Sequence, residues 1–184
     1  RPHQRCIRDR THPLAVRLRT QAARAQARLG NREECENSIQ QAGDLHDKLP
    51  SRAPLRLAMD TGSQALFTMT SYPAQAYIWL GDTEQGDFQK ARSYAQSAIA
   101  LQTAVPGRTA IARIDLGIAL AQLGEPEEAA ALGRQALAAP RLFNSLRARA
   151  ADLNDVLAAR YPELPAVREF RKVLREVRSE GVPR

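Results

Sequence analysis

The chain has 184 residues, 43% of them hydrophobic and 26% charged, proportions that exclude a disordered tail, a fibrous protein and a disulfide-stapled miniprotein. Aromatic residues make up only 5% and Ala about one residue in six, which suits helices in close approach and not β-sandwiches or barrels. Lys plus Arg is 27 against 20 for Asp plus Glu, a formal charge of +7, and this opens a nucleic-acid reading that depends on where the charges sit. Arg outnumbers Lys by about eight to one, a bias that a G+C-rich bacterial genome imposes without any functional demand. Cys6 and Cys35 form no motif, so a reducing cytoplasm is the expected setting. No window reaches the ~18 consecutive apolar residues of a membrane span. The first residues, Arg1-Pro2-His3-Gln4-Arg5-Cys6, lack both an initiator Met and an apolar signal core, so the sequence reads as a C-terminal fragment of a longer chain.

Strand and hairpin signals are nearly absent, and helical periodicity runs throughout. Pro13 opens a first helix over about Leu14 to Leu29, closed by Gly30-Asn31. A second runs from about Arg32 to Leu49 and ends at Pro50, with a connecting stretch over Ser51 to Ser63. The next, about Gln64 to Leu80, holds Pro73, which predicts a kink or a fresh start. After the loop from Gly81 to Gly86, Asp87 is expected to cap a helix of about Phe88 to Thr103. Helices of about Arg108 to Leu123 and Pro126 to Ala139 follow, then two more over about Leu142 to Arg160 and Leu164 to Arg178. The expected class is all-α: seven to eight helices in antiparallel pairs with short connections, forming a single domain over 1–184.

One phrase recurs at helix ends: Ala27-Arg28-Leu29-Gly30-Asn31, Ile78-Trp79-Leu80-Gly81-Asp82 and Ala121-Gln122-Leu123-Gly124-Glu125. Its spacing exceeds a helix-pair period of about 34 residues, so inserted connections are required. The unit Leu116-Gly117, Leu120, Gly124, Ala129, Gly133, Ala136, Pro140 resembles the tetratricopeptide repeat. Small residues there let helix backbones approach, and the turn Gly takes positive φ. Looser versions run through Gly30, Cys35, Ile39, Ala42 and Pro50, and through Tyr77, Leu80-Gly81, Ala91, Tyr94 and Ala98. The resemblance implies a right-handed α-solenoid with repeats over about 14–50, 64–105 and 108–140, closed by a terminal pair over 142–178. Cys35, where the family usually has Ala, is expected as a buried small residue. More narrowly, Ser71-Tyr72-Pro73-Ala74 with Trp79-Leu80-Gly81-Asp82, Ala112 to Leu116, Ala129 to Leu137 and Arg160 to Leu164 are similar to the C-terminal region of actinomycete XRE-type helix-turn-helix regulators. That resemblance implies a sensory, peptide-binding or dimerising half whose DNA-binding domain lies outside this chain.

The resemblance to the tetratricopeptide repeat places ligand contacts on the first helix of each pair. Carried over, the candidate groove residues are Arg17, Arg24, Arg28, Ser71, Gln75, Trp79, Gln122 and Asp152. Thr20, Thr68, Ile111, Ile114, Ile118, Ser145 and Asp155 lie at neighbouring groove positions. Spacing alone puts Arg17, Arg24 and Arg28 on one helical stripe. Beside Gln75 and Trp79 these guanidinium groups could clamp a carboxylate or an acidic peptide. They could equally be a solvated face, with Trp79 filling a gap between helices. Ile111, Ile114 and Ile118 read first as core, and as ligand floor or dimer surface second.

His3, Cys6 and His12 are the only cluster of metal-ligand types and lack a completing pair, so no metal or cofactor is expected. His46-Asp47 is too thin for acid–base work, and no nucleophile elbow, phosphate loop or dinucleotide fingerprint occurs. An enzyme is not expected. The terminal helix, with Val167, Phe170, Val173, Leu174 and Val177 on one face, reads as a cap ahead of a partner- or nucleic-acid-binding helix. The main reading is therefore a ligand-sensing or dimerising module of a regulator: a peptide or protein ligand in the concave groove, a homodimer as a further option, DNA only through a missing domain, and no membrane. An interaction scaffold without an effector is the alternative, and direct nucleic-acid binding ranks third.

Overall fold

Glycine and proline set the boundaries of the helices, and the computed structural model describes residues 13–49, 62–81, 86–101 and 106–180. Among these residues lie eight α-helices and no strand: α1 (Pro13–Arg28), α2 (Arg32–Asp47), α3 (Gly62–Leu80), α4 (Asp87–Ala100), α5 (Pro106–Leu123), α6 (Pro126–Leu137), α7 (Asn144–Arg160) and α8 (Pro165–Glu180). The three recurring Leu-Gly phrases end α1, α3 and α5. Their glycines take φ of 75°, 68° and 92° at Gly30, Gly81 and Gly124, a left-handed backbone that a side chain would strain. The tightened ends pair orphan carbonyls: Asn31 N–H donates to Gln26 at 2.9 Å, and Glu125 N–H to Leu120 at 2.9 Å.

The first helices α1, α3, α5 and α7 lie side by side as one layer, each in contact with the next. The second helices α2, α4, α6 and α8 complete the pairs, with α2 touching α3, α4 touching α5, and α8 packed on both α6 and α7. Alanine accounts for the closeness of this stacking. Ala23, Ala27, Ala76 and Ala91 of the first two pairs, with Ala119 of α5, are buried around Cys35, Ile39, Tyr77 and Leu80. The other half holds the bulkier core of Ile114, Leu120, Leu146, Leu153, Leu157, Val167, Phe170 and Leu174. Glycine marks the tightest approaches there: a Cβ on Gly117 would lie 3.1 Å from the Ala129 carbonyl, and one on Gly133 2.6 Å from the Phe170 ring.

Several boundaries and roles differ from the sequence expectations. Pro73 does not restart a helix: α3 is one element from Gly62 to Leu80 with Pro73 inside it, fully buried. Asp87 is the first helical residue and not the cap. Gly86, at φ 99°, occupies the cap position, which frees the buried Asp87 carboxylate to receive Arg32 of α2 through both guanidinium amino groups, Nη1 at 3.0 Å and Nη2. The helix expected to reach Thr103 ends at Ala100, and the one expected to reach Ala139 ends at Leu137. The terminal helix is a cap: Val167, Phe170 and Leu174 are buried and its basic residues face outward. Ile114 and Ile118 are core, with Ile111 packed against it. His3, Cys6, His12 and the stretch 50–61 lie outside the described residues. No group of three or more potential metal ligands occurs among the described residues, and no helix there is long and apolar enough to cross a membrane.

Candidate functional site

On the layer of first helices, residues of α1 and α7 converge on Trp79 of α3, the single tryptophan of the chain. From α1, the Arg24 guanidinium lies 4.6 Å from the Tyr72 ring centroid and 5.1 Å from that of Trp79. Arg28, one turn further, sits 4.2 Å from the Trp79 ring. Arg149 reaches the same ring from α7 at 5.8 Å. Each such contact is worth about 0.5–2 kcal/mol, according to how far the cation is desolvated. The spacing of four between Arg24 and Arg28 presents both to one indole, and the spacing of seven between Tyr72 and Trp79 puts both rings on one face of α3.

Beneath the rings lies a buried polar floor. Asp115, the one acidic residue of α5, is fully buried. Its Oδ1 accepts Arg149 Nε at 3.0 Å and Arg149 Nη2, and its Oδ2 accepts Gln75 Nε2 at 2.8 Å. Both carboxylate oxygens thus act as acceptors, the arrangement of the ionised form. Burial pushes the Asp115 pKa upward while Arg149, Gln75 and Arg24 pull against it. Burial also opposes the charge on Arg149, but Asp115 outweighs it and holds the guanidinium above its ordinary value. Arg24 is lowered, first by burial and then by the neighbouring Arg149 and Arg28, against Tyr72 and Asp115. Arg24 Nη1 donates to Gln21 at 3.0 Å. Its Nε, the Gln75 Oε1 and the Ser71 Oγ are buried without hydrogen-bond partners among the described residues.

The structure therefore brings Arg24, Arg28, Gln75 and Trp79 together, with buried Ser71 one turn before Gln75. Arg17 lies further back on the stripe and joins none of these contacts; its carbonyl accepts the buried Thr20 hydroxyl at 3.0 Å. Asp152 pairs with Arg149 at 3.1 Å and is exposed. Gln122 is turned to α7, where Arg160 donates to its side chain and, at 3.0 Å, to its carbonyl. Tyr161 adds a bond to the Ala121 carbonyl at 3.1 Å, so this corner fastens helices. Thr68 is buried, while Ser145 and Asp155 face outward. Tyr72, Asp115 and Arg149 are the members the sequence did not single out. A signal existed for one of them: a lone carboxylate inside Ile111 to Leu120 has to find a cation once the helix is buried.

At the outer edge of the first two pairs, Glu36 of α2 accepts Lys90 at 3.1 Å and Tyr77 at 3.3 Å and lies 3.5 Å from Arg32. Cys35 is buried beside this network, and burial, then Glu36, raises its thiol to about 11. It is a packing residue with little thiolate at neutral pH. His46 and Asp47 stand 3.7 Å apart at the end of α2.

Family models described as tetratricopeptide repeat match residues 16–41 and residues 72–141. No curated protein and no solved structure matches the chain. The two matched stretches cover the α1–α2 unit and the run from late α3 through α6, where the positive-φ glycines and the alanine seams stand. The chain thus carries tetratricopeptide repeats and folds as an α-solenoid of that type.

Proposed function

We propose that this chain is a protein-interaction module whose layer of first helices takes up an acidic segment of a partner polypeptide at Arg24, Arg28 and Trp79. Solenoids of this type typically serve as interaction scaffolds and not as catalysts, and the array from α1 to α8 acts as one domain. A single observation carries the site. Arg149 is matched by Asp115 and Asp152, whereas Arg24 and Arg28 stand on aromatic rings with no carboxylate at ion-pair distance among the described residues. Two guanidinium forks held in place on rings are preorganised for carboxylate oxygens.

Trp79 makes the proposal directly measurable, since its fluorescence reports on the site alone. Titration with a hexaglutamate peptide gives a saturable change that weakens at raised salt. Replacing Arg24 and Arg28 by Ala weakens it by about tenfold per guanidinium, the scale of one charge-assisted hydrogen bond, with helicity unchanged. An unaltered affinity in the double variant, or equal binding of hexalysine, overturns the assignment. The resemblance to XRE-type regulators supports a finer version, in which occupancy of this face changes the spacing of DNA-binding domains elsewhere in the protein. A helix-turn-helix encoded ahead of Arg1 sustains that version, and a different domain there removes it.

A further inference from the structure

Charge is spread unevenly over the Trp79 cluster. On the α1 side, Arg24 and Arg28 bring two positive charges to the rings. On the α7 side the balance is reversed, because one guanidinium serves two carboxylates. Arg149 meets Asp115 through Nε and Nη2, and Asp152 through Nη1 at 3.1 Å. Asp115 is buried and closed by Gln75 on its other oxygen, out of reach of a partner. Asp152 is 52% exposed, and only its Oδ2 is bonded among the described residues. The surplus negative charge therefore meets solvent at Asp152, with exposed Asp155 three residues further along α7. Of the other cations of α7, Arg160 is committed to Gln122 at the end of α5, and Arg147 stands about 140° around the helix from Asp152.

The two signs lie within reach of one short peptide. Arg149 is 5.8 Å from the Trp79 ring and 3.1 Å from Asp152, while Arg24 and Arg28 are 5.1 Å and 4.2 Å from the same ring. Asp152 and the α1 guanidinium groups are thus no more than about 15 Å apart, the span of about four residues of extended chain. Given the peptide site proposed above, on which this step rests, we infer that the segment bound there is bipolar. Its acid sits on Arg24 and Arg28, and a lysine or arginine within about four residues pairs with Asp152. An all-acidic segment still meets the arginines but sets its later carboxylates against Asp152. A basic one sets its cations against Arg24 and Arg28, and like-charge contacts of this kind reject partners.

The test uses the whole chain, Trp79 fluorescence at low salt, and two capped peptides, Glu-Glu-Thr-Thr-Lys and Glu-Glu-Thr-Thr-Gln. Beside two arginines an added lysine would by itself weaken binding, so a gain from it reports on Asp152. The parent binds the lysine peptide about threefold to fivefold more tightly, the scale of one exposed ion pair. Asp152→Asn alters an exposed side chain and leaves Arg149 on Asp115; it brings the two peptides within about 1.5-fold of each other. The same variant holds hexaglutamate at least as tightly as the parent, since a repelling charge is gone. Equal affinity of the parent for the two peptides, or a lysine advantage that survives Asp152→Asn, overturns the bipolar reading. Hexaglutamate separates the two levels. If it leaves the fluorescence of the parent unchanged, the peptide site falls and bipolar selection with it; saturable hexaglutamate binding without a lysine preference removes bipolar selection alone.

Discussion

Arg149 touches Asp115, Asp152 and Trp79 from one position on α7, and its side chain is only 12% exposed. Two buried charges in contact are tolerated because each satisfies the other, and removing either is costly. In an Arg149→Met variant burial acts on Asp115 with only Gln75 and the more distant Arg24 opposing it. The folded-state pKa of Asp115 then climbs further above the unfolded value of about 3.9. Stability from a group raised in this way is complete below the unfolded pKa and lost as pH rises through the folded one. Urea unfolding should therefore find the variant weaker than the parent by about 3–5 kcal/mol at pH 7, with the deficit shrinking as the pH is lowered towards 4. An equal deficit at both pH values would show that Asp115 is not held in a closed environment. The same pair marks how far the sequence could be read. Arg24 and Arg28 share helical spacing and could be placed on one stripe from the letters alone, while Trp79, on another helix, is reached only through the repeat resemblance. Asp115 and Arg149 come from different helix pairs and meet only because α5 and α7 stack, which no local pattern encodes.

At the scale of single helices, the connections were the most legible feature. Each Leu-Gly phrase marks a helix end because the glycine adopts a backbone other residues avoid, and that preference is local. Asp87 misled for the opposite reason: local chemistry predicts a cap, and a tertiary contact overrules it. Arg32 draws the Asp87 carboxylate away from a cap role. Glycines inside helices divide in the same way. Gly43 in α2 has room, since a Cβ there meets only the Met69 methyl at 3.9 Å, whereas Gly133 in α6 faces the Phe170 ring at 2.6 Å. Gly43→Ala should thus gain the ordinary helical advantage of about 0.5–1 kcal/mol. Gly133→Ala should lose about 1–3 kcal/mol in spite of that advantage, because the buried Phe170 has to move within a filled core. Thermal unfolding of the two variants side by side checks the sign of each. Stabilisation by Gly133→Ala would mean that α6 and α8 are not in close contact.

Across the whole molecule, stability follows from which helices share a core. The C-terminal pairs enclose Leu146, Leu153, Leu157 and Phe170, while the N-terminal pair contributes mostly Val16, Ala23, Ala27, Cys35, Ile39 and Ala42. In a quasi-one-dimensional array each unit depends on its neighbours only, so the alanine-rich end is held less by buried area and more by its polar fastenings. The main fastening is Arg32 on buried Asp87, backed by Glu36 with Lys90 and Tyr77. Asp87→Ala takes from Arg32, 16% exposed, the buried carboxylate that both its amino groups reach, at a cost of about 3 kcal/mol. Hydrogen exchange should then show α1 and α2 opening about a hundredfold more often, the equivalent of that cost. Amides of α6 to α8 should keep their protection within about twofold. A uniform loss through all eight helices would instead make the solenoid one cooperative unit, and the alanine seam between α1 and α3 as binding as the leucine core behind it.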